Sequence, residues 1–268
     1  MPHTSVGGAV TTEEVHCRTC GHVQRRTPDP SSWRCPQHPE IALVSAATLE
    51  RAGRAPLLGH VLGGKYHLID VLGRGGFGAV YRALQAPVGR TVAVKVIGGR
   101  HADDQEDLRA RFMREARAIA SLRHHATVAL HDFGEDGDTL YMVLEVVEGE
   151  TLRDVLKREG RLPVHRAVHI ARQVLEALQE AHAQGLVHRD LKPSNVMLSL
   201  TPFGDDKVKV LDFGIAKIVE AERSDGVETS KGMVYGSPAY MAPEQAQARA
   251  EPRSDLYAVG VMLYEMLT

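Results

Sequence analysis

The stretch from His188 to Gly214 constrains this chain most. His188-Arg189-Asp190-Leu191-Lys192-Pro193-Ser194-Asn195 leads into an apolar run, a Gly204-Asp205-Asp206 turn, and Val208-Lys209-Val210-Leu211-Asp212-Phe213-Gly214. The segments Val196–Ser199 and Lys207–Leu211 read as strands, and a hairpin between them would bring the two polar loops together. Asp190 and Lys192 stand two residues apart in an extended loop, so both side chains can address one reacting centre. Asn195 and Asp212 supply the oxygen ligands that hard divalent cations take.

Upstream, Gly73-Arg74-Gly75-Gly76-Phe77-Gly78 lies between two strand-like runs, Tyr66–Leu72 and Ala79–Leu84. Glycines let a backbone approach a ligand closely and turn its N–H groups toward phosphate oxygens. A second strand follows the glycines, whereas a dinucleotide fingerprint needs a helix there. Val92-Ala93-Val94-Lys95-Val96-Ile97 places one ammonium in an otherwise apolar strand, where an unpaired charge is costly. Leu108, Phe112, Ile119 and Leu122 space a helix over 105–122, and Glu115 falls on its apolar face. A lysine inside one element and a carboxylate on the buried stripe of another suggest a pair.

The HRDLKPSN and DFG motifs, about 20 residues apart, together with GxGxxGxV, resemble the catalytic core of the eukaryotic-type protein kinases, in their bacterial Hanks-type branch. The resemblance covers residues 66–268 and implies an α+β, bilobal kinase fold. A small antiparallel β lobe with the helix called αC would precede a larger, mainly helical lobe. It implies transfer of the γ-phosphoryl group of ATP to protein Ser/Thr hydroxyls, with Mg²⁺ or Mn²⁺ as cofactor. Asp190 would orient the acceptor hydroxyl and take its proton, and Lys192 would stabilise the transferring group. Asn195 and Asp212 would hold the metal, and Lys95, paired with Glu115, would hold the α- and β-phosphates. Leu72, Gly73, Gly75, Gly76, Phe77, Gly78, Val80, Ala93, Leu144 (as gatekeeper), Glu145, Val147 and Met197 would surround the nucleotide. Phe213, His188, Ile119, Leu130 and Asp255 would form a packed spine. Lys192, and Gly236-Ser237-Pro238-Ala239-Tyr240-Met241-Ala242-Pro243-Glu244, resemble the serine/threonine branch. Phosphate on Thr229 or Ser230 is expected to pair with Arg189 and order the intervening loop, and a transient homodimer would serve autophosphorylation.

All three cysteines fall within residues 17–35. Cys17-Arg18-Thr19-Cys20-Gly21 and Cys35-Pro36-Gln37-His38 form two CxxC/CxxH pairs, suited to tetrahedral Zn²⁺. The pattern resembles a zinc-ribbon knuckle pair; His16 and His22 compete with the better-spaced His38 as fourth ligand. An odd cysteine count argues against a disulfide framework. The expected organisation is a disordered tail over 1–15, a zinc-ribbon-like segment over 16–40 and a linker over 41–64. The small lobe follows over 65–147 and the large lobe over 148–268. Ser254 to Thr268 reads as a helix apolar nearly all round, expected to be buried on every side. The sequence stops within that helix, so a C-terminally truncated large lobe that aggregates or unfolds with poor cooperativity is expected.

A formal charge of −2 gives no electrostatic reason to expect nucleic acid or an anionic membrane as partner. With no apolar run near the ~18 residues that span a bilayer, and no secretory signal at the N-terminus, a cytoplasmic location is expected. Two rival readings compete with the enzyme: a pseudokinase scaffold that transfers nothing, and a knuckle that binds protein or nucleic acid. Lys95, Glu115, Asp190, Asn195 and Asp212 together argue against the first. Arg25 and Arg26 make too small a basic patch for nucleic-acid binding by the second.

Overall fold

The computed structural model describes residues 14–25, 32–52, 55–75, 78–98, 105–213, 238–247 and 249–268. Gly76, Phe77, Gly214, Thr229 and Ser230 lie outside the described residues, so the expectations attached to them are not addressed by the fold. By its contacts the chain divides into two units, Met1–Val96 and Ile97–Thr268.

In the first unit β1 (Glu14–His16) pairs antiparallel with β2 (Val23–Arg25) and with β3 (Val44–Ser45). Helix α1 (Ala46–Ala52) follows directly, its start held by the Ser45 hydroxyl, which accepts from the Thr48 N–H at 3.2 Å. Next come β4 (Val61–Leu62), β5 (Tyr66–Gly75), β6 (Gly78–Gln85) and β7 (Arg90–Gly98), successively antiparallel within this unit. Strand β7 is buried at every position from Val92 to Ile97, as in a strand covered on both faces. The segment 41–64, expected to be a linker, contributes β3, α1 and β4 to this unit. Within the expected tail, Glu14 and Val15 belong to β1.

The second unit opens with α2 (Gln105–Ser121), whose Leu108, Phe112, Ala116 and Ile119 are buried in one stripe. Its C-terminal end is tied to α4 (Val164–Ala183): the Glu180 carboxylate accepts from the backbone N–H of Arg123 at 2.8 Å and of His124 at 2.9 Å. Strands β8 (Leu130–Asp136) and β9 (Thr139–Leu144) form a hairpin, and α2 packs on β8. Strand β10 (Glu150–Thr151) leads into α3 (Leu152–Glu159), capped by the Thr151 hydroxyl, which accepts from the Asp154 N–H at 3.1 Å. β10 pairs with β11 (Val196–Leu200), which pairs with β12 (Asp206–Val210), so the hairpin expected around the polar loops is present. Gly149 permits the close approach of β10 to β11: at φ +125° a Cβ there would lie 2.0 Å from the Leu198 carbonyl oxygen.

Helix α5 (Pro252–Leu267) starts with a reciprocal Glu251/Ser254 capping box. It buries Ala258, Val259, Met262 and Met266 but exposes Leu256, Tyr257 and Tyr264. The all-round burial expected for it is therefore met on one face only among the described residues. No described helix is long and apolar enough to cross a membrane.

Candidate functional site

In the second unit the hairpin β11–β12 carries the two polar loops at one end, and hydrogen bonds knit them. The Lys192 ammonium donates to Asp190 Oδ2 at 2.7 Å, so the two side chains two residues apart do converge. Asn195 Nδ2 donates to the Asp190 carbonyl at 2.7 Å, and Leu211 N–H donates to the Asn195 carbonyl at 2.8 Å. His188 Nε2 lies 2.7 Å from the Leu211 carbonyl oxygen, an acceptor, which makes Nε2 the protonated nitrogen. These bonds place Asp190, Lys192, Asn195 and Asp212 on one small framework.

Two of its residues hold backbone conformations that side chains usually avoid: Arg189 at φ +71° and Asp212 at φ +64°. A non-glycine residue there costs on the order of 1–2 kcal/mol and must be held by its surroundings. For Arg189 the holder is Asp255, on α5 and 1% exposed. Its carboxylate accepts from the N–H of His188 at 2.8 Å and of Arg189 at 2.9 Å, and lies 2.7 Å from His182 Nε2. Gln245 adds a second hold, donating to the Arg189 carbonyl at 2.8 Å and accepting from Ala242 N–H at 3.0 Å. Sequence reasoning named Asp255 but missed His182 and Gln245; their partners lie 73 and 56 residues away, and no local pattern marks them. The expected spine is assembled: the His188 and Phe213 rings are 4.9 Å apart, Ile119 and Phe213 share one buried core, and Leu130 packs against it. Ser254 Oγ donates to Glu244 at 2.6 Å, and this bond together with backbone N–H donation lowers the Glu244 carboxyl below its ordinary range.

Leu144 ends β9, and the following residues bend away as coil. The Glu145 N–H donates to the Ala129 carbonyl at 3.0 Å. Its carboxylate accepts from Ala129 N–H at 2.8 Å and from the Lys209 ammonium. Val147 is half-buried, and Met197 sits opposite Thr151 in the β10–β11 register. Glu115 is 7% exposed on α2.

In the first unit the expected hairpin about the glycines is present, with Gly75 opposite Gly78, and Gly73 opposite Val80. Val80 in turn faces Lys95, and Arg82 faces Ala93. The Lys95 side chain is 4% exposed, and Leu72 is largely open.

The same unit gathers the cysteines. Ligand atoms of Cys17, Cys20, Cys35 and His38 all lie within 4.8 Å of one another. Cys20 Sγ and Cys35 Sγ are 3.5 Å apart, and Cys35 Sγ is 3.8 Å from His38 Nδ1. Thiolates at about 2.3 Å from a tetrahedral Zn²⁺ stand about 3.8 Å from each other, so the spacing fits. Gly21, at φ +72°, makes the expected knuckle turn, its N–H donating to the Cys17 carbonyl at 2.9 Å. Burial would raise the Cys17 thiol, but hydrogen bonds from the Cys20 and Thr19 backbone and from the neighbouring thiols bring it down to about 7. Of the competing histidines, the cluster takes His38.

Comparison with known proteins agrees with the arrangement of the loops at Asp190 and Asp212. Residues 66–268 match the family described as protein kinase domain. The chain is 42% identical over 221 residues to the serine/threonine-protein kinase PknL of Mycobacterium tuberculosis, covering 82% of this chain and 53% of that protein. It is 44% identical over 220 residues to PknA of the same species (80% and 49%), and over 214 residues to pkn3 of Myxococcus xanthus (79% and 39%). The chain thus spans about half the length, or less, of these relatives. A crystal structure of Rad53 1–466 in complex with AMP-PNP superposes with a TM-score of 0.58 at 32% identity, over 76% of this chain and 48% of that one. The hairpin that ties an HRD loop to a DFG loop, and the match across residues 66–268, carry the same conclusion: the chain belongs to the protein kinase domain family.

Proposed function

We propose that this chain is the catalytic part of a serine/threonine protein kinase that transfers the γ-phosphoryl group of ATP to hydroxyls of protein substrates. The observation that carries the reading is the Asp190–Lys192–Asn195 network, which holds a carboxylate and an ammonium side by side on a loop fixed from below by Asp255. In this reading Asp190 orients the acceptor hydroxyl and accepts its proton, while Lys192 faces the charge on the transferring group. With Nδ2 engaged by the Asp190 carbonyl, Asn195 would offer a cation its Oδ1 and Asp212 its carboxylate, an all-oxygen donor set that fits Mg²⁺ or Mn²⁺. When bound, such a cation would neutralise phosphate charge. Lys95 contributes a buried ammonium to the nucleotide phosphates. With the Glu145 N–H engaged by Ala129, its carbonyl and the Val147 N–H are the backbone groups for adenine. The Rad53 structure with AMP-PNP supports an adenine nucleotide as ligand.

The second component of the proposal is one structural Zn²⁺ held by Cys17, Cys20, Cys35 and His38, supported by the gathering of their four ligand atoms within 4.8 Å of one another. A five-residue cluster of Val15, Cys17, Cys35, Ile41 and Leu43 is a small core, and metal binding supplies the missing folding free energy.

The deciding experiment is incorporation of labelled phosphate from ATP by the chain and by Asp190→Asn. Loss of the general base is expected to cut transfer by roughly 10²–10⁴-fold with little change in melting temperature. Equal labelling of both proteins refutes the catalytic reading.

A further inference from the structure

We infer that the three-thiolate, one-imidazole centre pins β5, so that metal occupancy controls the strand that leads into the glycine loop; the inference rests on the zinc reading above. An independent zinc module on a tether would share few bonds with the sheet behind it. Here a ladder of backbone hydrogen bonds runs from the ligands to β5. Cys35 N–H donates to the Ile41 carbonyl at 2.9 Å, and Ile41 N–H to the His38 carbonyl at 2.9 Å. Ile41 bridges to His60, and Val61 N–H donates to the Glu40 carbonyl at 3.0 Å. Gly59 N–H then donates to the Leu68 carbonyl at 2.8 Å, and Leu68 N–H to the His60 carbonyl at 2.9 Å.

The second connection starts between two ligands. Arg18, in the Cys17–Cys20 knuckle, turns its guanidinium onto the carbonyls of Ala55, Pro56 and Leu58, at 3.0, 2.9 and 2.6 Å. Its aliphatic stem lies against Gly59, where a Cβ would meet Arg18 Cδ and the Ala42 carbonyl oxygen, both at 3.2 Å, in a backbone at φ +83°. A glycine is needed at that spot because the knuckle and the sheet touch there.

Together with β4, these contacts cover the outer edge of β5 from Tyr66 to Leu68; the inner edge is taken by β6. Without metal, three thiols and an imidazole have little to hold them together, and the small cluster beneath cannot replace the lost binding energy. The Arg18 clamp and the Ile41 bridge would loosen together, leaving β5 a barer edge strand. Leu72, Gly73 and Gly75 lie on that same strand, so their hold on nucleotide phosphates would weaken.

The test uses the whole chain. Metal per chain is quantified by mass spectrometry, then amide exchange over 14–45 and 66–75, and KM for ATP against kcat, are compared before and after chelation and after adding back Zn²⁺. Stripping is expected to raise exchange in both regions by about tenfold or more, equivalent to losing one charge-assisted hydrogen bond, and to raise KM more than it lowers kcat. Zn²⁺ should restore both. Arg18→Ala keeps every ligand and serves where the stripped chain does not stay folded: with zinc in place, it should still show faster exchange over 66–75. Zinc bound, with exchange over 66–75 indifferent to chelation and to Arg18→Ala, overturns the pinning and leaves the metal site standing. A chain that binds no zinc overturns the metal site and the inference together.

Discussion

Replacing Asp255 by alanine should disable the catalytic loop while the motif residues stay untouched. The carboxylate is 1% exposed and serves two backbone donors, His188 N–H and Arg189 N–H, with His182 beside them. Alanine leaves both donors without their acceptor, and each unsatisfied buried N–H costs about 1–3 kcal/mol. Arg189 also loses the bond that holds it at φ +71°, a conformation disfavoured by about 1–2 kcal/mol. The total is about 3–8 kcal/mol, a large part of a typical domain stability of about 5–15 kcal/mol. Asparagine should cost less, about 2 kcal/mol, because one oxygen remains to accept and the amide nitrogen confronts the other donors. Urea unfolding followed by circular dichroism gives the stability, and amide exchange read at His188 and Arg189 localises the loss. If Asp255→Ala lowers stability by less than about 1 kcal/mol and both amides remain as protected as before, Asp255 does not hold the loop and the reasoning fails.

Further outcomes can be measured alongside. His67 is fully buried on β5, and neither ring nitrogen has a hydrogen-bond partner among the described residues; burial, with Arg34 nearby, lowers its pKa to about 4. Its folded pKa lies below the unfolded value of about 6.5, so the unfolded chain binds the extra proton. Stability is then intact above about pH 6.5 and falls through the window down to about pH 4, by about 2 kcal/mol between pH 7.5 and pH 5. His67→Leu should flatten that slope, and an unchanged slope would refute the assignment. Gly149→Ala forces a Cβ against the Leu198 carbonyl in a left-handed backbone and should destabilise by about 3 kcal/mol or more; a wild-type urea midpoint would argue against the close approach. Gln245→Ala removes bonds to Arg189 and Ala242 and should cost about 1–2 kcal/mol, seen as faster exchange at Ala242.

The parts of this chain legible in sequence are those whose physics is local. Glycine spacing announced the β5–β6 turn, a three-and-four period announced α2, and an all-buried run announced β7. One CxxC and one CxxH at knuckle spacing announced a four-ligand cluster with His38 the best-spaced fourth member, and the fold brings His38 in over His16 and His22. What stayed hidden depends on partners far along the chain. Arg189 carries no sign of its left-handed backbone, because Asp255 imposes it from 66 residues away. Arg18 looks like any exposed cation until 55–58, read as part of a linker, supplies three carbonyls. Glu145 and Lys209 are 64 residues apart, and neither position alone announces an ion pair.

The tie between Glu180 and the backbone just after α2 sets how that helix can move. Its C-terminal end is fastened at Arg123 and His124, whereas nearer its start Arg109 reaches a partly exposed Glu135. Any swing of α2 therefore hinges near Ser121, with Glu115 about 9 Å up the axis at ~1.5 Å per residue. A tilt of about 10° carries that carboxylate sideways by about 1.6 Å, a larger shift than the length range of a hydrogen bond. A modest rocking of one helix is thus enough to change which groups the Glu115 carboxylate can reach.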